Sequence, residues 1–132
     1  MQTSQHTLRR GFTLVEIMIA IAIVALLAAI ATPNFLRARK RSQATRMLND
    51  LRVISYALDR WTIENNKVGS DVAIFSDLRP YLKDATQLYQ TGTDMLGYPL
   101  GPYVVDVGPK VSPGAFIALE EVAPPDFWSP YY

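Results

Sequence analysis

Apolar residues fill one segment of the chain almost without interruption. Residues 12–31 contain a single charged side chain, that of Glu16. A helix of about 20 residues is about 30 Å long, which matches the hydrocarbon thickness of a bilayer. The pattern therefore predicts one membrane-spanning helix over these residues.

Beyond this segment, apolar positions recur every three or four residues, which is typical of one face of a helix. This apolar stripe consists of Met47, Leu51, Ile54, Leu58 and Trp61. A long helix is predicted over residues 12–66, and Gly69 follows its end. Pro33 lacks a backbone donor and clashes with the carbonyl four residues earlier, so it predicts either a kink or the first turn of a second helix.

The last part of the chain has short apolar runs separated by proline and glycine. The runs at residues 103–107 and 115–119 predict two antiparallel strands, with a third strand near Tyr98 or in the tail. Ser76 is expected to cap a short helix over residues 76–82. Because so few strands are only marginally stable alone, we expect the sheet to pack against the apolar stripe. The predicted fold class is α+β, with one long N-terminal helix packed against a small antiparallel sheet.

The N-terminal residues allow three interpretations. The arginines at 9–10, followed by an apolar run, resemble a secretory signal cleaved after Ala31, and they partly resemble a twin-arginine signal. In the third interpretation, cleavage falls between Gly11 and Phe12, and the apolar segment stays on the mature protein. Glu16 favours this third interpretation, because it shortens the apolar region that a secretory signal requires.

Residues 9–17, with the sequence RRGFTLVEI, closely resemble the processing site of type IV pilins and type II secretion pseudopilins. The resemblance implies that an inner-membrane prepilin peptidase cuts after Gly11 and methylates the amino group of Phe12. Gly11 suits such a site, because a residue without a side chain lets extended backbone enter a narrow cleft.

The resemblance also implies a pilin-like organisation of the chain. The leader would lie in the cytoplasm of a bacterium, the helix would cross the inner membrane once, and the rest would lie in the periplasm until it enters an extracytoplasmic filament. Expected partners are other copies of the chain, the peptidase, an inner-membrane assembly platform, minor pilins or pseudopilins, and membrane lipid. The implied parts are a leader at 1–11, a long helix at 12–66 with its transmembrane part at 12–31, and a small C-terminal α+β head at 67–132.

Glu16 requires an explanation, because a carboxylate at bilayer depth costs several kcal/mol. Cleavage would create an ammonium on Phe12, and monomethylation keeps its positive charge. In a bundle of staggered copies, the ammonium of an incoming copy would meet Glu16 of a copy already in place. We predict that Glu16 sets the register of assembly; the alternative is a carboxylate that only reaches the membrane interface.

Basic residues cluster directly after the apolar segment. By the positive-inside rule this cluster should stay in the cytoplasm, which opposes the orientation that the resemblance implies. We follow the resemblance and expect the cluster to rest on lipid head groups before assembly. Nucleic-acid binding is not expected, since Phe35 is the only aromatic neighbour. The basic cluster consists of Arg37, Arg39, Lys40, Arg41 and Arg46.

Residues 94–99, with the sequence DMLGYP, resemble the D-x-x-G-x-P element of major pseudopilins, although Leu100 replaces a frequent tyrosine. Those relatives often bind calcium through nearby acidic loops. The calcium candidates here are Asp94, Asp106 and Asp126, but calcium takes about 6 to 8 ligands and no spaced loop motif is present. No other cofactor is expected.

The chain ends at residues 127–132 with FWSPYY, in which most residues are aromatic. Such a tail would be sticky if it were exposed. We expect it to fold back over the sheet or to contact a neighbouring copy.

Composition favours a structural role over catalysis. His6, the only histidine, would leave with the leader, and the chain has no cysteine, so imidazole catalysis, zinc sites and disulfides are not expected. We predict a non-enzymatic subunit of a type II secretion pseudopilus, since the C-terminal cysteine pair common in adhesive type IV pilins is missing. The alternatives are a type IV pilus subunit for adhesion, motility or DNA uptake, and a secreted or singly membrane-anchored binding module.

Overall fold

The computed structural model describes residues 11–84 and 86–132. This part of the chain divides into two compact units, and the boundary in the sequence lies between Leu36 and Arg37. One long helix and a two-stranded antiparallel sheet confirm the predicted α+β class. The elements are α1 (Leu14–Glu64), β1 (Val72–Ala73), α2 (Phe75–Leu78), α3 (Gln87–Thr91), β2 (Tyr103–Val104) and α4 (Pro113–Leu119), with 3₁₀ helices at Arg79–Tyr81 and Pro125–Trp128.

The first unit contains the N-terminal part of α1. This helix is long and apolar enough to cross a membrane, and its large apolar side chains in this unit are exposed. The helix runs through Pro33, so the alternative that Pro33 begins a second helix is wrong. Thr32 Oγ1 donates to the Ala28 carbonyl at 2.8 Å, and Asn34 Nδ2 donates to the Ile30 carbonyl at 3.3 Å. A kink at the proline stays a prediction.

The second unit has two buried apolar clusters, and α1 contributes one face to both. The residues of the predicted apolar stripe are all buried. Toward the end of α1 they pack against the sheet through Ala73 and Tyr103. Earlier in α1 they pack against α4 and the tail through Leu119 and Trp128. The stripe residues in the first cluster are Ile54, Leu58 and Trp61, and those in the second are Met47 and Leu51.

The sheet is shorter than predicted and has a different partner strand. Of the run at residues 103–107, only β2 is a strand, and it pairs with β1 so that Val72 lies opposite Val104. The chain then turns, because the N–H groups of Val107 and Gly108 both donate to the Val104 carbonyl. The sequence predicted the strand but not this early turn.

The strand predicted at residues 115–119 is wrong, because this segment belongs to the helix α4. Ser112 Oγ accepts a hydrogen bond from the Ala115 N–H at 3.3 Å and caps the helix. Pro113 occupies the first turn, where its missing donor costs no hydrogen bond. The apolar run is too short for its period to distinguish helix from strand, so the cap decides the structure.

Two further local predictions are corrected. The N-cap of α2 is Ile74 rather than Ser76, and the carboxylate of Asp77 accepts from the Ile74 N–H at 3.1 Å. This bond satisfies a donor that the first turn leaves free, and the N-cap lies two residues earlier than predicted. Instead of a third strand, the described residues have an isolated antiparallel bridge between Thr93 and Pro99.

The aromatic tail packs against α1 and α4, so the prediction that it folds over the sheet is wrong. Trp128 is completely buried, and its Nε1 donates to the Ala123 carbonyl at 3.0 Å. The ring of Tyr132 lies 5.1 Å from the ring of Phe116 in α4. The tail reaches α1 because the small sheet covers only the C-terminal part of the apolar stripe.

Candidate functional site

The start of α1 carries a reciprocal pair of hydrogen bonds. Thr13 Oγ1 accepts from the Glu16 N–H at 3.2 Å, and Glu16 Oε2 accepts from the Thr13 N–H at 3.0 Å. The Thr13 hydroxyl donates to the same carboxylate oxygen at 3.0 Å. This arrangement is a capping box, which satisfies N–H groups that the first helical turn leaves without partners. Glu16 therefore has a role within its own chain.

The sequence contains a signal for this capping box, which the prediction for Glu16 did not include. A threonine followed three residues later by glutamate, directly before an apolar run, predicts such a cap. Inside a membrane the cap matters more, because lipid offers no hydrogen bonds to exposed backbone donors. In the part of the chain that the structure describes, Glu16 Oε1 has no hydrogen-bond partner, so one oxygen remains available for a cation.

Gly11 and Phe12 precede the first helical residue. A side chain added at Gly11 would meet no atom of the described residues within 4 Å, and Phe12 is 84% exposed. Both residues that flank this peptide bond are therefore exposed within the described part of the chain. The rest of the predicted leader, at 1–10, lies outside the described residues.

Members of the basic cluster form ion pairs and a hydrogen bond with residues 121–122 of the second unit. Arg37 Nε and Lys40 Nζ each lie 3.1 Å from a different oxygen of Glu121. Lys40, and to a smaller extent Arg37, lower the pKa of the Glu121 carboxyl through hydrogen bonding and charge. Arg41 donates to the Val122 carbonyl. The lipid head groups predicted to bind these side chains would therefore compete with contacts inside the chain.

Asp94 organises the loop that resembles the D-x-x-G-x-P element. It is only 5% exposed, and its Oδ1 accepts from the N–H groups of Leu96 and Tyr98, both at 2.9 Å. Its Oδ2 accepts from Ser112 Oγ at 3.1 Å. Gly97 has a φ of 90°, which favours glycine because it has no Cβ. Asp94 thus joins this loop to the cap of α4.

The calcium candidates do not form a common site. The part of the chain that the structure describes contains no group of three or more histidine, cysteine, aspartate or glutamate side chains that could hold a metal ion. Both oxygens of Asp94 are occupied by donors, whereas Asp106 and Asp126 are exposed. Calcium binding stays a prediction.

Replacing Asp94 by alanine is expected to lower the free energy of unfolding by about 1–3 kcal/mol, because buried donors lose their acceptor. Urea unfolding of the full chain in detergent, with a chelator present, measures this change. The exposed Asp126→Ala is the control and should change stability by less than about 0.5 kcal/mol. Equal effects of the two substitutions would contradict the role of Asp94 in the loop.

At the start of the described chain, an exposed Gly–Phe pair, a capped glutamate and a helix long and apolar enough to cross a membrane follow one another in that order, as in pilin-type proteins. A family model described as the prokaryotic N-terminal methylation motif matches residues 7–32. Both type IV pilins and type II secretion core proteins are similar to about half of the chain. These similarities support membership of a pilin or pseudopilin family.

The similarity to individual relatives is confined to part of each protein. The chain is 41% identical over 69 residues to the type IV wide pilus major component of Thermus thermophilus, covering 52% of this chain and 53% of that protein. It is 34% identical over 62 residues to the type II secretion system core protein G of Pectobacterium carotovorum, covering 47% and 40%. The chain thus spans about half the length, or less, of these relatives. No solved structure matches it.

Proposed function

We propose that the chain is a structural, non-catalytic subunit of a pilus-like filament, and specifically of a type II secretion pseudopilus. The observation that carries this proposal is the match to the N-terminal methylation motif at residues 7–32, which includes the Gly11–Phe12 bond and the exposed apolar part of α1. The loop formed around Asp94 favours the pseudopilus, because it is the element that resembles major pseudopilins. The similarity to a pilus component of Thermus thermophilus favours the alternative, a type IV pilus subunit.

The proposed assembly begins with processing in the inner membrane. A prepilin peptidase removes residues 1–11 and methylates Phe12, and the apolar helix holds the product in the bilayer with its second unit in the periplasm. An assembly platform then adds this product to a filament of identical copies, with minor pilins or pseudopilins as further components. A secreted or singly membrane-anchored binding module is the alternative of another class, and it is favoured if the mature chain begins at Thr32.

Glu16 is proposed to align each incoming copy. Its Oε2 already accepts hydrogen bonds from Thr13, whereas Oε1 can face the methylated ammonium of Phe12 on a neighbouring copy. Leaving one partner of a buried pair uncompensated costs about 3–5 kcal/mol, so an axially displaced copy would be disfavoured. In this proposal the Glu16 carboxylate caps its own helix and also sets the axial position of the next copy.

Two substitutions separate the capping role of Glu16 from the charge pair. Glu16→Gln keeps an oxygen for the Thr13 N–H but removes the charge, whereas Glu16→Ala removes both. We expect either substitution to lower filament yield about tenfold or more, because each leaves the ammonium unpaired. Sheared filaments are quantified by electron microscopy and immunoblotting.

Intact mass of the membrane-bound chain is the control in this experiment. Loss of residues 1–11 with gain of one methyl group, in wild type and in both variants, shows that processing is unaffected. Normal filament yield with Glu16→Gln would contradict the charge pair and leave capping as the role of Glu16. A mature chain that begins at Thr32 would overturn the filament proposal itself.

A further inference from the structure

The second unit contains a cavity of about 340 Å³ between α1, residues 99–104 and residues 107–113. Its size lies within the range of small-molecule sites, which are mostly apolar and carry a few convergent polar groups. Most of the lining is apolar, with Leu51, Ile54 and Val111 among the contributing side chains. None of the roles described above uses this cavity.

The cavity is lined by a carboxylate that has no partner. Asp50 is half-buried, and in the described part of the chain no hydrogen bond or ion pair reaches it. Burial raises the pKa of the Asp50 carboxyl; the charge of Arg46 opposes this shift and that of Asp94 adds to it. Asp94 also lines the cavity, but hydrogen bonds from the loop occupy both of its oxygens.

Tyr103, which also lines the cavity, carries a second unsatisfied polar group. Within the described ranges no group lies in hydrogen-bond geometry with the buried hydroxyl of Tyr103, although the Gly101 backbone is near enough to oppose part of its pKa shift, and the residue is only 6% exposed. Burial raises the pKa of this hydroxyl, so it stays neutral and can both donate and accept. A buried polar group without a partner costs about 1–3 kcal/mol, and a bound ligand would remove this cost.

We propose that this cavity binds a primary ammonium or guanidinium group on an apolar stem, with Asp50 as the counter-ion and Tyr103 as a second hydrogen-bond partner. A cation with N–H donors matches a carboxylate and a hydroxyl that both lack donors, and a stem of a few methylene groups matches the apolar walls. Lys110 lies at the exposed rim, and it forms no ion pair with Asp50 in the described residues. Arg46 lies one turn before Asp50 on α1 and also forms no ion pair with it in the described residues, so the cation is expected to enter from outside.

Titration with n-butylguanidinium, followed by NMR of the ¹⁵N-labelled full chain in detergent micelles, tests this proposal. The amide signals of residues 99–104 and 107–113 should shift saturably, with n-butanol and butyrate as matched uncharged and anionic controls. Asp50→Asn should weaken binding about tenfold or more, because a charge-assisted hydrogen bond is lost. Tyr103→Phe should weaken it less, while leaving the spectrum of the folded chain intact.

An ammonium or guanidinium group can belong either to a free small molecule or to a lysine or arginine side chain of a second copy. Dilution of the chain without any probe distinguishes these sources: signals around Asp50 that change with protein concentration, but not in Asp50→Asn, assign the cation to a second copy. Concentration-independent signals assign it to a free ligand. Butanol binding as tightly as butylguanidinium, or Asp50→Asn binding as tightly as wild type, would overturn the proposal. Neither outcome depends on whether the chain forms filaments.

Discussion

Trp128→Ala is expected to lower the free energy of unfolding of the second unit by about 3–5 kcal/mol, which is the usual cost of truncating a buried tryptophan. The Trp128 ring is 0% exposed and belongs to the cluster that contains Met47 and Leu119. The substitution also removes the donor that satisfies the Ala123 carbonyl. A loss of this size is a large fraction of the stability of a small domain. Urea unfolding of the full chain in detergent, followed by far-UV circular dichroism, measures the change.

The control for this prediction is a substitution at an exposed position of α4. Ile117 is on α4 but is 71% exposed, so Ile117→Ala should change stability by less than about 0.5 kcal/mol. A loss below about 1 kcal/mol for Trp128→Ala would contradict the packing of the tail against α1. It would instead indicate that the tail is available to a neighbouring copy.

Gly11→Val is expected to abolish processing, which is the largest effect predicted for any single residue on function. A branched side chain beside the bond between Gly11 and Phe12 would obstruct entry of the extended backbone into a narrow cleft. The uncleaved chain keeps residues 1–11, has no methylated amine to pair with Glu16, and should not enter filaments. Intact-mass spectrometry of purified membranes measures the fraction that remains uncleaved.

Phe12→Leu is the matched control on the other side of the same bond, and it should be cleaved like the wild type. Cleavage of Gly11→Val at the normal position would show that the enzyme does not require glycine there. A product beginning at Thr32 in all variants would identify a secretory signal instead.

The helical part of the fold was predictable because its pattern is long and regular. The continuous apolar segment and the stripe that ends at Trp61 gave α1 to within a few residues at each end. Short segments were not predictable in the same way. At residues 115–119 the run of apolar residues fits helix and strand equally, and the Ser112–Pro113 cap decides for helix.

The residues of the N-terminal motif and those of the cavity also differ in how far the sequence alone identifies them. Gly11, Phe12 and Glu16 form a local motif, so sequence alone could identify them, and the threonine that completes the capping box was also visible there. Asp50 and Tyr103 lie far apart in the sequence and line one cavity only because the second unit folds around it. Whether a carboxylate or hydroxyl lacks a partner depends on tertiary packing, which no single-sequence pattern reports.

Both apolar clusters contain residues of α1, and this determines where a water-soluble fragment for crystallography can begin. A fragment that began near Gly69, where the sequence pattern changes, would lack the α1 residues of each cluster. The apolar side chains that pack against α1 would then be exposed to water. A fragment that starts at Arg37 retains every buried residue from Ala44 onward, together with the ion pairs to Glu121. Crystallisable material therefore requires part of the long helix to be kept as a scaffold.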